Sequence, residues 1–522
     1  MRILTLLPVC LLLSATVSEA GGSEPGQLIK VSTQKRIPSE LDKGAFIMVN
    51  EIQEWQSHET AIIICDMWDK HWCSGATNRV AEMAPAMNEV ISMARKRGVL
   101  IVHAPSDCMD YYSDHPARKL GRKYRSRKVE RMLGDGLLES EKGAEWPFEI
   151  SGGGCDDEPQ CEIGRAWTKQ IETIDVLDGD VITDSGVEAG SLFIKRGIKN
   201  VILVGVHTNM CVIGRSFGLR NMVRLGMNVV LMRDMTDTMY DAASWPNVSH
   251  FTGNSLMFEY IEKYVCPTMV SSDFTGHKQF RFKNDTRQVI AFVTAEGEYR
   301  ANQRLPEFAH DLLLTKNVNT EFALGKPVMR GEGRHNIENL QIMKDADLAV
   351  IFVRRRALEH QKMDLIRQYV QRGKPVIGIR TASHAFDVRD DTSVLLAGWP
   401  EFDEEILGGN YQGHYGRMEE GASISIVPGM EHHPLLHGVD PEGFSSLSSL
   451  YKNRPLRSGH AQVLLLGTIP GQPPEPVLWL NTNKYGKVIS NALGHPEDWE
   501  NESFQNIMMN SIDYFLGVEP DK

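Results

Sequence analysis

The chain of 522 residues is 42% hydrophobic, 24% charged and 8% aromatic, a globular balance that excludes disordered, fibrous and disulfide-scaffold classes. Its length allows two sizeable cores. Lys+Arg 56 against Asp+Glu 68 gives a formal net charge of −12, which argues against a nucleic-acid role.

In chain order, Arg2, an apolar run over 3–13 and Ser18-Glu19-Ala20 read as an export signal over 1–20, implying a periplasmic or secreted protein. The run is shorter than the roughly 20 residues a membrane span needs, so no span is expected after cleavage. Ala61 to Cys65 reads as a buried strand. Val80, Ala84, Met87, Ile91 and Ala94 then recur at helical spacing up to Gly98, followed by a strand over 99–102. The unit repeats as a strand over 201–205, a helical stretch from Cys211 and a strand over 229–232. Between Pro267 and Thr286 apolar periodicity gives way to Ser, Asp, Gly, Lys and Asn, which sets a linker over 271–286 between domains at 57–270 and 287–518. Beyond it, strands are expected over 289–293, 348–353, 375–379, 463–466 and 477–480, and a last helix over 503–516 stopped by Gly517. The expected fold class is α/β: two three-layer α/β/α domains, each with a mainly parallel sheet.

In open α/β sheets, ligands gather beyond the carboxyl ends of the strands. Asp66 follows the strand ending at Cys65, and Cys211 follows the strand ending near Val206, so both point at one edge. A thiol at a helix start is favoured as thiolate, and a nearby carboxylate can take its proton. Eight cysteines less Cys10 leave seven, an odd count that leaves one thiol unpaired in an oxidising setting; Cys155 and Cys161 are close enough in sequence to bridge. The spacing contains neither a CxxC pair nor a Cys/His zinc pattern, and no cofactor is called for. Asp110, Asp114, His115 and His103 are metal candidates by sequence proximity only, and the metal question stays open. The basic run over 118–128 reads as a solvated segment.

Cys65-Asp66-Met67-Trp68-Asp69 and Gly205-Val206-His207-Thr208-Asn209-Met210-Cys211-Val212 resemble the isochorismatase-like cysteine hydrolases, which include nicotinamidases and carbamoyl-amide hydrolases. The resemblance covers about 59–270. It implies that Cys211 attacks a carbonyl, that Asp66 shuttles its proton, and that a lysine lowers the thiol pKa. It also implies a cis bond joining Val206 and His207, with the backbone N–H groups of His207 and Cys211 as oxyanion hole. Thr183 or Asp184 stands where the lysine belongs, which leaves Lys169 as the candidate cation, with Arg165 or a metal as substitutes.

The segments 373–384 and 408–414, with His433-Pro434 and Leu493-Gly494-His495, resemble the trehalose-utilisation (ThuA-like) branch of the class I glutamine-amidotransferase fold. Arg380 stands where true amidotransferases carry cysteine, and no cysteine follows Cys266, so thiol-based glutamine hydrolysis is excluded for this half. Arg380, His384, His414 and His495 are candidates for a sugar or anion.

The leading expectation is therefore an exported cysteine hydrolase cleaving a C–N bond of a small amide, with a carbohydrate-like or acidic ligand for the second domain and oligomerisation left open. The alternative is a non-catalytic ligand-binding protein built on two degenerate enzyme folds. Ester or vinyl-ether hydrolysis is a third option, in which Cys211 is not needed as nucleophile.

Overall fold

The computed structural model describes residues 27–331, 333–389, 393–417 and 420–518. The expected leader over 1–20 lies outside the described residues.

The chain forms two large mixed sheets flanked by helices. The first comprises β1 (Leu28–Pro38), β2 (Phe46–Gln56), β3 (Thr60–Cys65), β4 (Leu100–Ala104), β5 (Val181–Ile182), β6 (Asn200–Val206), β7 (Asn228–Asp237) and β8 (Thr268–Met269), in the order β2-β1-β8-β7-β6-β3-β4-β5. Its six strands from β8 to β5 are parallel. β3 and β6 are buried along their whole length, the signature of strands covered on both faces. The long helix α1 (Ser74–Lys96) buries Val80, Ala84, Met87, Ile91 and Ala94, the residues whose spacing predicts it.

The hairpin β1–β2 belongs to this sheet although the sequence suggests a domain beginning at 57. Its polar residues mask it: Gln34 and Arg36 are buried because they meet Glu262 at 2.9 and 3.2 Å, and Arg36 meets Glu259 at 2.9 Å. The stretch over 271–286 is likewise packed rather than a free tether, with Phe274 and Phe282 in the first core and Asp273 accepting the Ser32 N–H at 2.8 Å.

The second sheet runs from Val318–Leu324 through Gln288–Ala295, Leu348–Val353, Val376–Ile379 and Lys487–Asn491, all parallel, to four antiparallel strands ending at Phe444–Ser446. The final helix, Glu502–Leu516, buries Phe504, Met508 and Ile512 and stops at Gly517, whose φ of 72° is left-handed. The halves touch through partly buried polar groups: His310 Nδ1 meets Glu259 at 2.7 Å and Arg233 meets Glu321 at 3.4 Å. Among the described residues, no helix is long and apolar enough to cross a membrane.

One glycine is required by the approach of β3 to β6. Gly205 has φ 102°, pairs with Cys65, and would drive a Cβ to 1.9 Å from the Cys65 carbonyl oxygen. Gly205→Ala is expected to lower stability by ~3 kcal/mol or more, combining left-handed strain with a backbone clash. Gly459, with open space where its Cβ would stand, is the control. Denaturant midpoints of the two alanine variants check this.

Candidate active site

The register of β3, β4 and β6 aligns Cys65 with Ala104 and with Gly205, so the loops after all three strands open at one edge of the sheet. Asp66, first residue after β3, takes a left-handed φ of 45°, which aspartate tolerates better than most side chains. Its carboxylate is fully buried. Oδ1 accepts the Ser106 N–H at 2.7 Å, while Oδ2 lies 3.7 Å from Arg215 Nε on the side of the Cys211 thiol.

Beyond β6, the peptide bond between Val206 and His207 is cis. Cys211 lies in a single π-helical turn, Thr208–Val212, where the sequence suggests a helical stretch beginning at about Cys211. That turn is clamped from β7: Thr208 Oγ1 meets Thr236 Oγ1 at 2.6 Å and the Asp237 carbonyl at 3.0 Å, and Asn209 bonds the Met239 N–H and C=O at 3.0 and 2.9 Å. Asp237 is held in turn by Arg79 at 2.7 Å and His250 at 2.9 Å. The consequence is a thiol fixed in position but poorly served by a helix dipole, since one turn aligns few peptides.

Electrostatics follow from that placement. Burial is the strongest influence on the Cys211 thiol, the Asp66 charge adds to it, and Arg215 opposes both, leaving the thiol pushed up to about 12. Burial also raises the Asp66 carboxyl, against Cys211, the Ser106 N–H and Arg215. The thiol is thus held protonated beside the Asp66 carboxyl group, and the cation that acts on both is Arg215.

Arg215 is the residue the sequence reading misses. Its signal is spacing: four residues past Cys211, one helical turn on. It also reaches Asp107 Oδ2 at 3.5 Å. Lys169 points elsewhere, with its ammonium paired to Glu172 and lying 5.6 Å from the Tyr111 ring centroid. Its backbone, with that of Thr168, is what serves the site, binding the Asp69 carboxylate. Arg165, the other candidate, donates to the Asp107 carbonyl. Arg215→Met is expected to slow alkylation of Cys211 at neutral pH by about tenfold or more by raising the thiol pKa further, while Lys169→Met leaves it unchanged. Iodoacetamide labelling rates of the two variants check the assignment.

Aromatic rings pack beside the thiol. Trp68 stacks on Trp167 at 4.2 Å, His71 lies 5.8 Å from Trp167, and His71 meets the His207 ring edge-on at 4.9 Å. Cys211 packs against the cluster containing Trp68, Cys108 and Tyr112. Burial holds both imidazoles neutral, His71 down at about 4 and His207 at about 3, and His207 Nε2 is buried without a hydrogen-bond partner.

Two of the sequence's metal candidates are otherwise engaged: His103 bonds Gln170 at 2.9 Å and Asp180 at 3.2 Å, and His115 caps the helix Pro116–Gly121. All seven described cysteines are thiols, so Cys155 and Cys161 are not bridged. A cavity of about 130 Å³ lies between the two halves, lined by Arg36, Arg233, Glu259, Glu321, Phe280 and Phe322, and Asp66, Cys211 and Arg215 take no part in it.

In the second domain Arg380, with φ 43°, occupies the turn after Val376–Ile379. Its guanidinium lies 4.4 and 4.5 Å from the Tyr299 and Tyr451 ring centroids and donates to the Ala492 carbonyl at 2.9 Å and Ser449 Oγ at 3.1 Å. A buried arginine so engaged supports the core of the turn. His384 is buried, stacks on Tyr411 at 4.5 Å and bonds Ser383 at 3.0 Å. His495 is buried 6.2 Å from the Tyr299 ring and pairs with Glu497. Arg380, His384 and His495 thus share one aromatic cluster, whereas His414 is exposed on the short strand His414–Tyr415.

Residues 328–515 match the family model described as ThuA, trehalose utilisation. A search of the curated proteins finds no match. Among solved structures, a ThuA-like protein from Parabacteroides merdae is 13% identical, with 45% of this chain and 93% of that chain covered and a TM-score of 0.33. A cysteine hydrolase from Pseudomonas syringae pv. phaseolicola is 16% identical over 42% of this chain and 92% of its own, with a TM-score of 0.27. Pyrazinamidase of Pyrococcus horikoshii, solved with zinc, is 17% identical over 41% of this chain and 99% of its own, with a TM-score of 0.24.

Proposed function

We propose that the first domain is a cysteine hydrolase that cleaves the C–N bond of a small, planar, uncharged amide. One observation carries the reading: a buried carboxylate, Asp66, and a guanidinium, Arg215, converge on the Cys211 thiol at the carboxyl edge of a parallel sheet. The resemblance of the two motifs to isochorismatase-like hydrolases supports it, as does the cis bond before His207.

In this reading the Cys211 sulfur attacks the amide carbon while Asp66 takes the thiol proton, so no free thiolate has to form beforehand. The oxyanion is received by the backbone N–H groups of His207 and Cys211. Asp66 then passes the proton to the leaving amine, and a water activated by Asp66 hydrolyses the thioester. Arg215 steadies the negative charge shared by sulfur and carboxylate throughout. The Trp68–Trp167 stack and two neutral histidines favour a flat neutral substrate, and His207 Nε2 is free to bond it.

The second domain is read as ligand-binding rather than catalytic, since Arg380 fills the turn and no cysteine follows Cys266. A carbohydrate-like ligand would meet the partly exposed Tyr411 and the exposed His414. Export remains a proposal that rests on the segment over 1–20.

The test is an amide panel assayed by ammonia release, comparing the natural chain with Cys211→Ala. Turnover abolished in the variant supports the reading; equal turnover in both overturns it.

A further inference from the structure

The geometry points to a metal site, separate from the Asp66–Cys211 pair, in which Cys73, Cys155, Cys161 and Asp157 bind one zinc-like ion. Three thiols from two distant segments converge on a single oxygen: Asp157 Oδ2 lies 3.2 Å from Cys73 Sγ, 3.5 Å from Cys155 Sγ and 3.2 Å from Cys161 Sγ. The ligand atoms of Cys73, Cys155 and Asp157 all fall within 4.8 Å of one another. A tetrahedral ion with bonds of roughly 2.3 Å to sulfur and 2.0–2.2 Å to oxygen has sulfur-to-oxygen edges of about 3.6 Å, close to this spacing. Cys73, Cys155 and Asp157 therefore need little movement to enclose an ion, and Cys161, held beside the same Asp157 oxygen, turns in to complete the set.

The surroundings suit an anionic ligand set. Cys73 caps α1, and its sulfur accepts the Ala76 N–H at 3.4 Å; Asp157 accepts the Gly75 N–H at 3.0 and 3.1 Å; Ser74 Oγ lies 3.6 Å from Cys161 Sγ. Arg79 binds the neighbouring Asp156 at 2.7 and 3.0 Å, bringing a positive charge beside the cluster. Cys73 and Cys155 are fully buried. Thiolate-rich sets favour zinc over magnesium or calcium, and four protein ligands leave no open position, so the ion is structural. Binding releases the three thiol protons to solvent and ties the loop over 155–161 to the start of α1. Trp72 and Met210, the neighbour of Cys211, pack against the same cluster, so the ion would stiffen the support of the Cys211 turn.

The rival occupant of three thiols is a disulfide, which would leave one of them unpaired. The experiment uses the full chain, purified without chelator and supplied with zinc or with cobalt(II) alone. We expect one equivalent of zinc by elemental analysis. We expect, with cobalt, a near-ultraviolet thiolate charge-transfer band and intense visible bands of a tetrahedral centre. Both should be lost in Cys73→Ser and in the isosteric Asp157→Asn weakened at least tenfold, while the buried Cys266→Ser keeps them. Because the cobalt spectrum is read on the natural chain, a variant that fails to fold does not decide the matter. Absence of metal after zinc loading, an octahedral cobalt spectrum, or a disulfide joining any two of the three cysteines overturns the site.

Discussion

Cys211→Ala is expected to lower amide hydrolysis by at least four orders of magnitude, roughly the scale seen when a covalent nucleophile is removed, with the fold retained. The reason is positional. Cys211 is the thiol that both Asp66 and Arg215 face, in a turn fixed through Thr208 and Asn209 to the end of β7. Cys65, also near Asp66, cannot substitute: it is buried within β3 and donates to the Val206 carbonyl at 3.4 Å. Steady-state rates, with circular dichroism to establish folding, check this. Turnover in the alanine variant within tenfold of the natural chain would move the chemistry to another group.

Asp66→Asn should reduce turnover by roughly 10²–10⁴, the usual contribution of a general base, and should change the thiol in the opposite sense. With the carboxylate gone, a charge that raises the Cys211 pKa is removed while Arg215 remains, so alkylation of Cys211 at neutral pH should become faster than in the natural chain. A variant that reacts faster with iodoacetamide yet hydrolyses amide more slowly separates proton transfer from mere thiol exposure. The pH profile carries the same sign. Turnover needs Asp66 ionised, burial raises its pKa above the ordinary 3.8, and the rate should fall as pH falls through that raised value. Slower alkylation in Asp66→Asn would contradict the electrostatic account.

Much of this arrangement is legible from sequence because it depends on local patterns. Runs such as Ala61 to Cys65 and Leu348 to Val353 are apolar throughout, as strands buried on both faces must be, and the residues just past them fall at the sheet's carboxyl edge. That logic reaches Asp66 and Cys211. Arg215 is not legible in the same way: chain position points to Lys169, whose side chain turns to Glu172, and an arginine one turn beyond the cysteine carries no local pattern of its own. The hairpin β1–β2 is missed for a related reason: Gln34 and Arg36 are polar yet buried, satisfied by Glu259 and Glu262 from a helix more than 220 residues later. The Cys73–Cys155–Cys161 cluster leaves no spacing signature, since Cys73 is brought to the others only by the start of α1. Arg380 illustrates the reverse case. A charged residue at a strand end suggests a ligand site; here its two terminal nitrogens are engaged by carbonyl and hydroxyl groups and its face by two tyrosines, while its Nε is buried without a partner.

The most direct test of the central claim is to trap the acyl-enzyme. An activated aryl carbamate acylates a cysteine nucleophile and deacylates slowly, so inactivation and covalent labelling can be followed together by intact-mass and peptide mass spectrometry. The account predicts one carbamoyl group per chain, located on Cys211, appearing in step with loss of activity and much more slowly in Arg215→Met. Complete inactivation with Cys211 unmodified, or with the label on Cys65 or Cys108 instead, would contradict it.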